Sequence, residues 1–390
     1  MFLSHKIELR PTPMQETFLL RSVGVRRFTY NQLLAHFSKE GVKYSKAAAY
    51  SKLKELKTEF PWMSEVSART SRNVLEDIER AFAKFFRNVR SGRKPGFPKF
   101  KKKGVRDSFS IREVQKFYVN GTTLRIEKLR TKIQLRQPLR LVGTPKQCAI
   151  SYKAGKWFAS ILIDCTEVPW KPIDVSTRKP SVGVDLGVKS LAVLSDGSVF
   201  GASQQLKKQL VKLAKLQKKY ARQQKGSNRR EVTKLRIQKL HFYVAEKRKA
   251  VLHELTNFLT RSYSRIVIED LNVAGMVKNR RLARTISDCG FGEFRRQLEY
   301  KSALRDNELV VVDRWFPSTK LCSSCGQLHA MKLSDRVMNC DCGLSLDRDL
   351  NAAINLNRYI PTGLSGIKCT EELAANKRAN VDSVNNVSNN

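Results

Sequence analysis

The chain has 390 residues, and its 74 Lys and Arg against 35 Asp and Glu give a net charge of +39. A charge of this size would repel itself in a compact protein unless a polyanion neutralised it, so we expect nucleic acid as the partner. The N-terminus has no apolar core of signal-peptide length, and no run approaches the ~20 apolar residues of a membrane span. These features exclude the secreted and membrane classes and predict a cytosolic protein with reduced thiols.

The N-terminal part of the chain predicts one strand followed by three helices. The segment KIELR is strand-like, and apolar residues then recur at helical spacing. The predicted helices run from Met14 to Phe37, from Lys46 to Lys57 and from Ser64 to Val89. The residues predicted to end this helical block are Pro95, Gly96 and Pro98.

A basic loop, KFKKK, and a group of short strands follow the helices. We expect Phe97 and Phe100 to pack in the core rather than to stack on bases, because large aromatic side chains are mostly buried. Between residues 108 and 164 the alternation predicts short strands, with hairpin turns at Asn120-Gly121 and Ala154-Gly155. This pattern predicts a small β-barrel, a fold whose surface can hold oligonucleotides.

The second half of the chain begins with a strand that ends in a carboxylate. Residues 182–184 are apolar and branched or small, and Asp185 follows them directly. Apolar residues then resume and turn at Asp196-Gly197, which predicts a hairpin. Upstream, a linker is predicted by three prolines, Pro169, Pro172 and Pro180.

Residues 204–250 form a strongly basic stretch, with 16 Lys or Arg against two acidic residues. Leucines at helical spacing lie on both sides of a break at Gly226-Ser227-Asn228. We predict a helical hairpin over residues 204–261 whose apolar stripe packs in the core and whose basic face contacts phosphates. Because phosphate contacts carry no sequence information, the reading of bases must come from elsewhere.

Two further acidic residues occupy similar settings. Glu269 closes an apolar strand-like run, near the carboxyl end where open α/β sheets place ligands. Asp349 falls in the first turn of a predicted helix, LNAAINLNRYI, for which Asp347 is the predicted N-cap.

Asp185, Glu269 and Asp349 are therefore candidate ligands of catalytic metal ions. Taken singly, an Asp after a strand is usually a turn former and an Asp before a helix is usually a cap. Together, three carboxylates can hold two divalent ions roughly 4 Å apart, one activating water and the other stabilising the leaving 3′ oxygen of a phosphodiester. Oxygen ligands favour Mg²⁺ over zinc, so the trio predicts a magnesium-dependent nuclease if it converges in space.

Four of the eight cysteines cluster at metal-ligand spacing. Cys322 and Cys325 precede Cys340 and Cys342, and a glycine follows each pair, as tight thiolate turns require. The pattern predicts a structural zinc site, with a chance group of buried thiols as the alternative. One residue separates the second pair instead of the usual two, and His329 is the nearest substitute ligand for that tighter loop. The remaining cysteines, which have no ligand spacing and are expected to be ordinary thiols, are Cys148, Cys165, Cys289 and Cys369.

Four motifs occur in a fixed order: GVDLGVKSLAVLSDG, IVIEDLNVAGM, WFPSTKLCSSCG and DRDLNAAINL. They resemble the three RuvC-type motifs and the zinc ribbon of TnpB, also called OrfB, a family of bacterial transposon proteins related to type V CRISPR effector nucleases. The likeness extends to the N-terminal KIELRPTPMQETFLL and the central GRKPGFPKFKKKGVRDSFSI, and so covers most of the chain.

The resemblance implies an RNA-guided DNA endonuclease that supports maintenance of an insertion sequence. The family's catalytic Asp, Glu and Asp fall on Asp185, Glu269 and Asp349, and its zinc ribbon falls on the four clustered cysteines. The implied cofactors are two Mg²⁺ ions, one Zn²⁺ ion and a transposon-encoded guide RNA that pairs with double-stranded target DNA. The companion transposase of the element is a further implied partner.

The resemblance also implies an α/β fold, with an RNase H-like (RuvC) nuclease domain and zinc ribbon preceded by a split small β-barrel with an inserted helical bundle. The expected segments are the barrel at 1–12 and 96–170, the helical domain at 13–95, the nuclease at 180–316 and 345–360, the ribbon at 317–344 and a disordered tail at 361–390. Two alternatives stay open: a nuclease-inactive RNA-guided DNA-binding regulator, and a transposase accessory protein or structure-selective resolvase.

Overall fold

The computed structural model describes residues 2–166, 176–202, 204–332 and 334–360. These residues divide into two compact units. The first comprises residues up to 166 together with Lys234–Lys239, and the second comprises residues 176–233 and those from Leu240 on. The predicted tail at 361–390 and the predicted linker residues Pro169 and Pro172 lie outside the described residues.

The first unit opens with one strand and three α-helices. Their bounds are β1 Phe2–Arg10, α1 Pro13–Phe37, α2 Lys46–Glu59 and α3 Ala68–Arg90. A capping box starts α1: the Thr12 hydroxyl accepts from the Gln15 backbone N–H, and the Gln15 side chain accepts from the Thr12 N–H at 3.0 Å. The prediction that the third helix starts at Ser64 was wrong, because Pro61–Glu65 forms a 3₁₀ turn and Ser67 caps α3 instead.

A seven-stranded antiparallel sheet completes the first unit. The remaining strands are β2 Ser108–Ile111, β3 Phe117–Asn120, β4 Thr123–Ile126, β5 Ile133–Leu135, β6 Thr144–Lys153 and β7 Lys156–Asp164. Their order is β2-β6-β7-β1-β5-β4-β3. Phe109 of one end strand and Phe117 of the other are buried in the same apolar core, so the sheet curls into a barrel-like shape around that core.

Two predictions about this unit have clear outcomes. The hairpin turns are confirmed, because Gly121 and the Ala154-Gly155 pair join antiparallel strands with positive φ. The expectation that Phe97 and Phe100 are core residues was wrong, since they are 45% and 54% exposed. Both lie in the irregular segment between α3 and β2; the Phe97 ring contacts the rings of Phe82 and Phe85 edge-on, but this contact covers only part of it.

The second unit is built on a five-stranded mixed sheet. Its strands are β8 Lys179–Asp185, β9 Ser190–Leu194, β10 Val199–Gly201, β11 Tyr263–Glu269 and β12 Glu308–Val312. Their order is β10-β9-β8-β11-β12, with β8, β11 and β12 parallel to one another and the hairpin β8-β9-β10 antiparallel. Pro180 lies within β8 rather than in a linker, close enough to the start of the strand to be tolerated there.

The second unit also contains helices and a small β-hairpin. The helices are α4 Gln205–Arg222, α5 Asn228–Ser262, α6 Val273–Met276, α7 Ala283–Cys289, α8 Phe291–Arg305 and α9 Arg348–Asn357, and the hairpin is β13 Val337–Asn339 with β14 Ser345–Asp347. The predicted break between two basic helices is confirmed, with Ser227 as the N-cap of α5. Within the described ranges, no helix combines the length and apolar composition of a membrane span.

Candidate active site

Asp185 and Glu269 are the last residues of two neighbouring parallel strands, β8 and β11. Val184 lies in register with Ile268, so each acidic residue directly follows a paired residue. Glu269 is in turn in register with Val312, the last residue of β12. The two predicted carboxylates therefore belong to the same carboxyl edge of the sheet, the edge where such sheets bind ligands.

Asp349 reaches this region from helix α9. Asp347 is its N-cap, as predicted: the side chain accepts hydrogen bonds from the N–H groups of Asp349 at 2.9 Å and Leu350 at 3.2 Å. Helix α9 packs against β8, β9 and β11. The sequence forms the helix here because Asp347 satisfies two N-terminal donors and Ala352, Ala353 and Leu356 supply a buried face.

A second set of hydrogen bonds fixes α9 to the segment that leads into the cysteine cluster. The Asn351 side chain accepts from the Ser323 N–H at 2.8 Å and donates to the Leu321 carbonyl at 2.8 Å. One turn later, Asn355 donates to the carbonyls of Ser318 and Leu321. The position of Asp349 is therefore coupled to the ribbon segment as well as to the sheet.

The electrostatics of Asp185 connect the three predicted residues. Burial raises the pKa of Asp185 to about 7, with further increases from the negative charges of Asp349 and Glu269, while Arg348 opposes them. Each carboxylate thus lies within electrostatic range of Asp185. This site favours either a bound proton on Asp185 or a cation that neutralises the group.

The carboxylates are not drawn into a tight cluster. Among the residues that the structure describes, the one set of three or more potential metal ligands whose donor atoms all lie within 4.8 Å is the four cysteines. Carboxylates that repel one another separate until a cation holds them. A pair of ions roughly 4 Å apart also spans a wider ligand set than a single ion.

An ion-pair group beside Glu269 was missed by the sequence analysis. The carboxylate of Asp270 accepts hydrogen bonds from Arg314 and Arg295, which lower the pKa of Asp270. Arg314 follows β12, and Arg295 lies on α8. The adjacent Glu269-Asp270 pair was visible, but nothing in the sequence indicated which arginines would reach it.

The four clustered cysteines form a second candidate metal centre. Their sulfur atoms pair at 3.6 Å for Cys322 with Cys342 and at 3.5 Å for Cys325 with Cys340. A disulfide requires about 2.05 Å, whereas sulfurs bound tetrahedrally at about 2.3 Å from one zinc ion lie roughly 3.8 Å apart. The geometry therefore suits one zinc ion, and the group of four is complete without His329.

Glycine turns and a short hairpin present these thiols. Gly326 and Gly343 have φ of +79° and +91°, so the predicted need for glycine after each cysteine pair is confirmed. By contrast, Cys148, Cys165 and Cys289 are buried in apolar cores, as expected of ordinary thiols. Cys369 lies outside the described residues.

Three segments of the chain match known protein families. Residues 165–280 match a family described as "Probable transposase", OrfB of IS605 type. Residues 291–356 match the "Cas12f1-like, TNB domain" family, and residues 1–40 match a "Helix-turn-helix domain" of the OrfB group. Together, the first two matches contain Asp185, Glu269 and Asp349 as well as the four clustered cysteines.

Two full-length relatives share the name "Putative RNA-guided DNA endonuclease". One, from Streptomyces pristinaespiralis, is 33% identical over 93% of this chain and 90% of its own length. The other, InsQ of Escherichia coli (strain K12), is 32% identical over 94% of this chain and 93% of its own length. Among solved structures, Cas12f1 in its complex with sgRNA and target DNA matches with a TM-score of 0.50 at 17% identity, covering 88% of this chain and 83% of that chain. This last likeness concerns the fold alone.

Proposed function

The chain belongs to the TnpB family, also called OrfB, and from that premise we propose that it is an RNA-guided DNA endonuclease of a bacterial insertion sequence. The observation that carries the proposal is that Asp185 and Glu269 end neighbouring parallel strands while Asp349 lies in the first turn of the helix packed on them. The proposed role is maintenance of the transposon by cutting DNA, with the companion transposase as a further partner.

We assign the sheet of the second unit to an RNase H-like (RuvC) nuclease domain. One supporting feature is the strand order, β10-β9-β8-β11-β12. The other is that β8, β9 and β10 are antiparallel neighbours while β11 and β12 run parallel to β8. The first unit corresponds to the split β-barrel with an inserted helical bundle, since α1, α2 and α3 separate β1 from the other strands of its sheet along the chain.

Asp185, Glu269 and Asp349 are the proposed magnesium ligands and catalytic residues. The donor set fits Mg²⁺ because it offers carboxylate oxygens only, and because a divalent cation would offset both the burial and the repulsion that raise the pKa of Asp185. These residues would hold two magnesium ions, whose chemistry there would be the activation of a water and the stabilisation of the leaving 3′ oxygen of the phosphodiester.

The chain's own contribution is to orient these carboxylates before the substrate arrives. The strand ladder fixes Asp185 and Glu269, and the Asp347 cap fixes the first turn of α9 that carries Asp349. Such preorganisation lowers the cost of assembling the site during the reaction.

Cys322, Cys325, Cys340 and Cys342 are the proposed ligands of one structural zinc ion. Four thiolates fill a tetrahedral zinc site and leave no open position for substrate, which is typical of structural rather than catalytic zinc. The zinc would hold together the short segment that Asn351 and Asn355 connect to α9.

Guide RNA and double-stranded target DNA are the proposed partners, and the cytosol is the proposed location. The net charge of +39 attracts the phosphates of both partners. The names of the two relatives support RNA as the guide and DNA as the target. The association constant should fall as the salt concentration rises. The exponent of this dependence is roughly −0.7 to −0.9 for each phosphate that the protein neutralises.

The test is a cleavage assay with the protein, its copurified RNA, a matching DNA duplex and Mg²⁺. Asp185→Asn keeps the size of the side chain but removes its charge, so we expect cleavage to stop while RNA and DNA binding persist. Asp306→Asn is the matched control, because Asp306 is exposed and ends α8 with a left-handed backbone that Asn also adopts.

Two outcomes would overturn the proposal. Cleavage by Asp185→Asn at the wild-type rate would remove the assigned site. RNA-dependent DNA binding by the wild-type protein without any cleavage in Mg²⁺ would favour the nuclease-inactive regulator. Sequencing of the copurified RNA identifies a guide by a constant region joined to a variable segment.

A further inference from the structure

The turn that follows β12 starts beside Glu269. Val312 is in register with Glu269, and its carbonyl accepts a hydrogen bond from the Asp270 N–H at 2.9 Å. Three residues span at most about 11 Å, so Trp315 lies no farther than that from the end of β12. The backbone of Trp315 thus lies near the carboxyl edge that carries the proposed catalytic residues.

Several contacts fix the shape of this turn, residues 313–316. The Asp313 side chain accepts from the Trp315 N–H at 2.7 Å, and the Asp313 carbonyl accepts from the Phe316 N–H at 3.0 Å. Arg314 pairs with Asp270, one residue beyond Glu269. These bonds leave the backbone of the turn little freedom.

The two aromatic residues of the turn have opposite environments. Phe316 packs inward, with its ring 5.3 Å from that of Tyr359 and against a small core that includes Val312 and Leu356. Trp315 leaves 56% of its surface exposed. A single exposed aromatic residue is ordinary on a protein surface. Trp315 differs because a rigid turn holds it at the edge of the proposed catalytic site.

An exposed indole that follows an arginine in the same turn has the chemistry of a base-stacking platform. Every nucleobase offers a flat face, so stacking on an aromatic ring tolerates any sequence, as a guided nuclease requires of the strand it cuts. Arg314 is held within the same turn, and its side chain is 41% exposed even though it pairs with Asp270, which leaves it able to contact a phosphate as well.

We propose that Trp315 stacks on a nucleobase of the single DNA strand next to the scissile phosphate and so positions that strand over the carboxyl edge. This inference rests on the proposed nuclease function for its place in the reaction. The stacking contact itself can be measured without cleavage. Trp315 is then a substrate-binding residue, so its substitution should weaken binding of the strand more than it slows the chemical step.

The binding test uses a mixed-sequence single-stranded oligodeoxynucleotide at high salt, where phosphate contacts weaken but stacking persists. Trp315→Ala should raise the dissociation constant by about 5- to 100-fold, and Trp315→Phe should restore most of the affinity. Trp62→Ala is the control, since Trp62 is also partly exposed, at 42%, but belongs to the first unit.

A crosslinking test locates the contact. Irradiation of the wild-type protein with a strand that contains 5-iodouracil should crosslink the peptide that includes Trp315. With the cleaving complex, Trp315→Ala should raise KM more than it lowers kcat, because a stacked base outside the reacting bonds supplies uniform binding.

The two proposals fail in different ways. A wild-type protein that never cleaves but whose binding and crosslinks depend on Trp315 would overturn the nuclease proposal alone. Wild-type cleavage together with unchanged strand affinity and KM in Trp315→Ala would overturn the stacking proposal alone. Restoration by Trp315→Phe distinguishes loss of stacking from misfolding of the turn.

Discussion

A Cβ atom on Gly183 would lie 2.0 Å from the carbonyl oxygen of Ala353, so β8 and α9 pack backbone against backbone at this point. The same atom would lie 2.5 Å from the backbone nitrogen of Asn357. Gly183 precedes Asp185 by two residues, and Ala353 lies one helical turn beyond Asp349. Because residue 183 has no side chain, β8 and α9 can pack this closely, and their packing sets the distance between Asp185 and Asp349.

Gly183→Ala should push α9 away from the sheet. We expect a loss of about 1 to 3 kcal/mol in the free energy of unfolding, because neither backbone atom can move aside as a flexible side chain would. Cleavage should fall more than the folded fraction does, since the separation of Asp185 and Asp349 changes. Urea unfolding and a cleavage assay on the folded variant measure the two effects.

Gly201→Ala is the matched control for this substitution. Gly201 also lies in a strand of the same sheet, but nothing within 4 Å would meet its Cβ atom. The interpretation is wrong if both alanine variants have the stability and activity of the wild-type protein.

Asp288 connects three helices of the second unit. From α7, its carboxylate accepts hydrogen bonds from the Leu206 N–H of α4 at 3.1 Å and from Arg248 of α5 at 2.7 Å. Asp288 is only 6% exposed. It therefore acts as an N-terminal cap for α4, whose own N-cap residue, Gln204, makes no side-chain capping bond.

Asp288→Ala should leave Arg248 without its partner and the first turn of α4 uncapped. We expect a loss of about 2 kcal/mol in stability, below the range for fully buried pairs because Arg248 is partly exposed. Hydrogen exchange should also accelerate at the start of α4. In the exposed Arg21–Glu65 pair, Glu65→Ala should cost less than about 1 kcal/mol, and an equal loss in both variants would contradict this account.

Zinc content tests the cysteine cluster directly. We expect about one zinc ion per chain by elemental analysis, and close to none in Cys325→Ser, because a hydroxyl is a poor substitute for a thiolate. Thermal stability should fall with the metal, since a short ribbon has little core of its own. Cys165→Ala is the control and should keep its zinc, and full zinc content in Cys325→Ser would rule out this ligand set.

Lys301 predicts a specific pH dependence of stability. Its ammonium group is buried and donates to the Thr256 hydroxyl at 2.6 Å and the His253 carbonyl at 3.1 Å. Burial, followed by repulsion from Arg305 and Arg261, lowers the pKa of Lys301 from 10.5 to about 8. Between these pH values the unfolded chain binds more protons than the folded one, so the contribution of Lys301 to stability increases as pH rises.

Lys301→Met removes this titration while keeping an unbranched side chain. Relative to the variant, the wild-type protein should gain up to about 3 kcal/mol in the free energy of unfolding from pH 8 to pH 10.5. Denaturant unfolding at several pH values measures the difference, in which the effects of other titrating groups cancel. Lys207→Met, at an exposed position of α4, should show no such pH-dependent difference.

Local patterns in the sequence predicted much of the second unit correctly. The strands that end at Asp185 and Glu269, the Asp347 cap and the glycines after each cysteine pair all depend on short-range rules that a few residues satisfy. The start of α3 was missed because a serine cap three residues after the expected start overrode the apolar pattern. The catalytic roles and the domain boundaries stay predictions.

Other features depend on contacts that no spacing in the sequence reveals. The pairing of Asp270 with Arg295 and Arg314 joins residues from three separate parts of the chain: the end of β11, helix α8 and the turn after β12. The exposure of Phe97 depends on which elements happen to cover its loop.

The sequence by itself determined the elements, the caps, the excess of positive charge and the residues that could bind metals, because these follow from local propensity and composition. Only the tertiary structure decided that β8 lies beside β11, that α9 approaches at Gly183, and that Asp349 and Glu269 act on the pKa of Asp185. The physical reason is that packing and electrostatics act through space between residues far apart in the chain.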